Sequence, residues 1–83
     1  MILFSAALEL GINKIIIMNN LIVDATRNNI FLTFIVDKNI YTSTHVNSKI
    51  NFEKLMILIN DFLIVNNSTL EDVDVIYVNR GPG

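Results

Sequence analysis

Two short stretches of this 83-residue chain hold the residues that could do chemistry, Asp24-Ala25-Thr26 and Arg80-Gly81-Pro82-Gly83. Each follows an apolar run, Leu21 to Val23 in one case and Val75 to Val78 in the other. An acid at the end of a buried strand, with Thr26 beside it, can orient a Mg²⁺-bound water against a γ-phosphate. That chemistry also calls for a glycine-rich phosphate loop, and none accompanies Asp24. The competing reading makes Asp24 a turn residue whose carboxylate closes the strand end on its own backbone. Gly81 and Gly83 permit close approach to a nucleotide or to a partner's backbone. Arg80 can pair with a carboxylate or a phosphate, or simply remain solvated.

The other reactive types are scarce. His45 is the only histidine and there is no cysteine, so a metal centre has too few ligands and none is expected. No Ser-His-Asp or Cys-His set can be assembled. The chain therefore offers no catalytic residues to name, and no cofactor of its own is expected.

Composition narrows the classes further. The formal net charge is -2, which argues against direct nucleic-acid binding, since that requires a basic stripe. The hydrophobic content of 52% is high for one small domain and suggests either a tightly packed half-domain or a surface that expects a partner. Glu9, Asn13, Asp24 and Asp37 interrupt the apolar stretches, so no membrane span is expected. The first eleven residues lack a basic segment and carry Glu9, which reads against a secretory signal. A cytoplasmic location is the expectation. The many Asn and Ile residues fit the codon bias of an AT-rich genome.

The pattern divides at Met18. Residues 1–17 mix a short helical pattern (Leu3, Ala6, Ala7, Leu10) with the run Ile15-Ile16-Ile17, and they read as an extension that is not native. From residue 18 to 83 the pattern is regular. Strands are expected at Leu21–Asp24, Ile30–Val36 (apolar enough to be covered on both faces) and Ile40–Thr44, joined by short turns into an antiparallel meander. A helix follows, with Asn47, Ser48 and Asn51 as candidate caps. Its core stripe would be Phe52, Leu55, Met56, Ile59, Phe62 and Leu63. Asn66-Asn67 ends it, Ser68-x-x-Glu71 has the form of a capping box, and Val73–Asn79 reads as a buried last strand.

Strand, strand, strand, helix, strand is the opening half of an α/β, ribonuclease-H-like fold. A right-handed crossover sets the fourth strand parallel to the first. The second helix and fifth strand of such a fold are not visible in the pattern. The helix itself is apolar nearly all round. Leu58 and Val65 widen the stripe on one side, while Ile57 and Ile64 fall on the far side among Glu53, Asn60 and Asp61. Such a helix is buried on more than one face, by the missing half of the domain or by a partner.

The segments "FEKLMILINDFL" and "EDVDVIYVNRGPG" carry a resemblance to the TsaB (YeaZ) family, within the actin-like ATPase and sugar-kinase superfamily. Asp24-Ala25-Thr26 stands at the family's acidic turn, and Arg80-Gly81-Pro82-Gly83 at its Gly-Arg-Gly-Pro-Gly ending. The resemblance runs from about Asn20 to Gly83. In that family Gly-Pro-Gly continues into a Ser-Phe-Thr-Gly-like loop and a second helix, so the chain reads as a truncated N-terminal half-domain. Three positions depart from the pattern: Asn79 replaces a glycine, Ala25 a common threonine, and Asn51-Phe52 a frequent His-Ser.

The resemblance implies a non-catalytic scaffold in the synthesis of threonylcarbamoyladenosine, beside the anticodon of tRNA. It implies a TsaD-like catalytic partner and a TsaE-like ATPase, with a homodimer as an alternative and tRNA reached only through the complex. ATP would belong to that complex and not to this fragment. The partner surface would then use Leu58, Val65, Ile57 and Ile64. The alternatives are a fragment of a catalytic TsaD-like enzyme or of another actin-like nucleotide-binding enzyme. Asp24, Thr26, Arg80, Gly81 and Gly83 would be the residues that serve it.

Overall fold

Alternation along residues 30–36 builds the centre of the sheet. Ile30, Leu32 and Phe34 point to one face and are fully buried, while Phe31, Thr33 and Ile35 point to the other. The computed structural model describes residues 2–4 and 18–80. Within them β1 is Ile2–Phe4, β2 Asn20–Asp24, β3 Asn29–Val36, β4 Asn39–Val46 and β5 Val75–Asn79. Between β4 and β5 come α1 (Lys49–Glu53), α2 (Leu55–Val65) and a 3₁₀ turn, Leu70–Asp72. The sheet order is β1-β5-β2-β3-β4. β2, β3 and β4 form the expected antiparallel meander, and β5 returns parallel to β2 with Leu21 opposite Ile76.

The position beside β5 is not empty. Ile2–Phe4 pairs parallel to β5, with Leu3 opposite Ile76, so part of the stretch set apart as an extension supplies a fifth strand. The helical pattern and isoleucine run expected across residues 5–17 lie outside the described residues, as do Gly81 and Gly83.

One helical layer covers one face. Ile59, Phe62 and Leu63 of α2 are buried against Leu21, Val23, Leu32 and Phe34, with Phe52, Leu55 and Leu58 packed partly on this core. Met56 does not belong to the stripe, contrary to expectation, and is exposed. Leu55, Ile59, Phe62 and Leu63 follow i, i+4, i+7, i+8, and Met56 lies at the rim of that arc, about 20° beyond Leu63, in the first turn after the break at Lys54. The helix is also interrupted. Lys54 leaves helical geometry (φ −98°, ψ 16°), so Phe52 and the rest of the stripe sit on separate segments.

The helix ends show why a capping expectation shifts by one residue. Ser48 caps α1 by accepting from the Asn51 amide at 3.1 Å. At the other end Asn67 takes a left-handed conformation (φ 60°). The Ser68 amide donates to the Leu63 carbonyl and the Asn67 amide to that of Ile64, a Schellman closure. Ser68 is thereby committed to closing α2, so the capping box that opens the 3₁₀ turn is Thr69 with Asp72, not Ser68 with Glu71. The last strand correspondingly starts at Val75, two residues later than expected. β3 is fully buried on one face only, since Phe31 remains 41% exposed. Among the described residues no helix is long and apolar enough to cross a membrane.

Candidate functional site

Parallel strands β2 and β5 end side by side, with Asp24 opposite Asn79 and the Ala25 amide donating to the Asn79 carbonyl at 2.8 Å. Carboxyl ends of adjacent parallel strands are where open α/β sheets bind ligands. Asp24 Oδ1 accepts from the Thr26 amide (3.1 Å) and from Thr26 Oγ1 (2.7 Å). This is a side-chain-closed turn. Asn47 clamps the same turn by donating through Nδ2 to the carbonyls of Ala25 (3.1 Å) and Arg27 (2.7 Å). It acts there and not as a helix cap. The turn reading of Asp24 is thus realised, while Oδ2 has no hydrogen-bond partner among the described residues and is available to a ligand.

Arg80 goes elsewhere. Its guanidinium carbon stands 4.6 Å from the centroid of the Phe52 ring, tying the end of β5 to α1. An exposed cation–π contact of this kind contributes about 0.5–1 kcal/mol. Asp24 and Thr26 are therefore brought together, whereas Arg80 has a structural partner. Among the described residues no three His, Cys, Asp or Glu side chains converge on one point. His45 Nε2 lies 2.7 Å from Ser43 Oγ, within its own strand.

The second candidate surface is the outer side of the helical layer. Ile57 and Ile64 are 59% and 56% exposed, and their spacing of seven puts them on one line of α2, while Ile50, on α1 across the break at Lys54, is 64% exposed. Met56 and Val65 flank that line and are exposed too. Leu58 is different. It is half-buried against the core, so Leu58 and Val65 do not form an equally exposed seam. Glu53, Asn60 and Asp61 border the isoleucines and are exposed, as are Lys49 and Lys54, so the rim is of mixed charge. Sequence reasoning reached Ile57 and Ile64 but not Ile50, although Ser48, the cap that precedes it, was among the candidate caps. The seven-residue interval was the signal available.

No family model matches the sequence, and no curated protein matches it at a significant level. The backbone does match a solved structure, YeaZ from Pseudomonas aeruginosa, with a TM-score of 0.68. The fold is that of YeaZ. Identity is 21%, and the match takes in 80% of this chain but 31% of YeaZ. The chain thus spans about a third of the length of YeaZ, and the likeness establishes the architecture: a meander of three antiparallel strands, a helical crossover and a parallel fourth strand.

Proposed function

We propose that this chain is a non-catalytic, partner-binding part of an assembly that makes threonylcarbamoyladenosine in tRNA, and that it docks a TsaD-like catalytic subunit. One observation carries the reading: Ile57 and Ile64 are exposed on α2, whose opposite side is already buried, and Ile50 on α1 is exposed as well. Two exposed isoleucines at heptad spacing on α2 suit a helix from another chain. The YeaZ fold and the Arg80-Gly81-Pro82-Gly83 ending support the choice of assembly. The TsaE-like ATPase, its ATP and the tRNA would be brought by the complex. The second reading, a fragment of a nucleotide-binding enzyme, draws on the available Oδ2 of Asp24.

Co-purification decides between them. Mixed with the TsaD-like subunit of the same organism, the chain should elute as a one-to-one complex. A chain that elutes separately, while binding a Mg²⁺-nucleotide on its own, would favour the second reading.

A further inference from the structure

Among the described residues β4 is the last strand of the sheet on the side away from β5, paired with β3 alone. Its pairing with β3 runs without a bulge from Asn29 opposite Val46 to Val36 opposite Asn39. Natural edge strands are usually blunted by lysine, proline, inward charge or a bulge, because their outward amides and carbonyls invite another strand. The sequence Asn39-Ile40-Tyr41-Thr42-Ser43-Thr44-His45-Val46 contains no Lys, Arg, Asp, Glu or Pro. Its two apolar residues on the open face, Ile40 and Val46, are 65% and 64% exposed.

The direction of the free groups follows from one bond. The Asn47 amide donates to the Asn28 carbonyl, so residue 47 turns its backbone toward β3. Inward and outward residues alternate along an antiparallel strand, which turns the amides of Ile40, Thr42, Thr44 and Val46 outward. The carbonyl of Val46 is already taken by the Ser48 amide (3.0 Å) and Asn51 Nδ2 (2.8 Å), which marks where the open ladder ends.

We propose that β4 is a self-pairing edge, and that two copies of the chain join through it antiparallel about a two-fold axis at Ser43. The strand is close to palindromic about that residue. Thr42 faces Thr44 of the second copy, both exposed and both with outward backbone groups. Ile40 faces Val46, and Tyr41 faces His45 on the opposite side of the sheet. Threonine pairs and β-branched apolar pairs are favourable cross-strand neighbours. Outward residues meet only outward residues in this register, which is what a continuous ladder requires. The helical line of isoleucines lies on a different surface and plays no part.

The chain has no cysteine, so single substitutions report the register cleanly. Ser43 of each copy would form a non-hydrogen-bonded pair with Cα atoms about 4.5 Å apart, within disulfide range. Ser43→Cys should therefore crosslink to a dimer under mild oxidation. Ile40→Cys should not, because the two Ile40 positions would be about 20 Å apart. Independently, Thr42→Lys with Thr44→Lys sets like charges face to face and should raise the dimer dissociation constant by about tenfold or more in sedimentation equilibrium. Thr42→Glu with Thr44→Glu should do the same, and a mixture of the two charge variants should restore the dimer, which also shows that both are folded. A chain that stays monomeric at high concentration would overturn the proposal. So would crosslinking through Ile57→Cys in place of Ser43→Cys, or a dimer indifferent to the lysines.

Discussion

Phe34→Ala should unfold the chain or leave it barely folded, whereas Phe31→Ala on the same strand should scarcely matter. Phe34 is fully buried at the centre of β3, beneath α2. Removing its ring gives up transfer free energy and leaves a cavity, about 3–5 kcal/mol together. Domains are stabilised by about 0.05–0.15 kcal/mol per residue, so that loss is a large part of what a chain this short possesses. Phe31 points to the other face, 41% exposed, and its truncation should cost less than about 1 kcal/mol. Urea melts of the two variants, compared at constant m-value, measure the contrast. Equal losses would mean that the far face of the sheet is also packed at Phe31.

The second large effect is on binding. Ile57→Asp with Ile64→Asp should abolish the complex with a TsaD-like subunit and leave the melting temperature of the free chain nearly unchanged. Burial of two such side chains in an interface contributes about 3–6 kcal/mol, enough to decide a modest one. Both are exposed in the free chain, so the substitutions add charge to a surface that is already wet. Leu58→Asp is the control, because Leu58 packs partly on the core and should lower the melting temperature. If the Ile57 and Ile64 variant lost stability in step with binding, the outer face would be an internal one.

Much of the fold was legible because two patterns are written plainly in the chain. Residues 30–36 form a β-branched and aromatic run, as a strand does, and Leu55, Ile59, Phe62 and Leu63 repeat as a helix does. The parallel return of the last strand followed from crossover handedness and not from any residue. What could not be read depended on competition between neighbours. Ser68 looked like a cap, but its amide closes the preceding helix and Thr69 takes over. Met56 lies at the rim of the stripe, in the first turn after the interruption at Lys54, and is exposed there. The pairing of Ile2–Phe4 with β5 joins residues more than seventy positions apart and has no local signature.

At the site, the Asp24-Thr26 turn was legible from residue types alone, because aspartate two residues before a threonine closes on it locally. The use of Arg80 was not, since Phe52 reaches it only through the tertiary fold. Ile50 was missed because the apolar stripe was followed only from Phe52, whereas the first helical segment begins at Lys49.

Hydrogen–deuterium exchange of the chain, alone and saturated with a TsaD-like subunit, tests the central claim most directly. The docking of a partner helix along Ile50, Ile57 and Ile64 should slow amide exchange across α1 and α2, residues 49–65, and leave β4 unchanged. Slowing confined to the turn after Asp24 and the end of β5, with the helical amides unaffected, would contradict it.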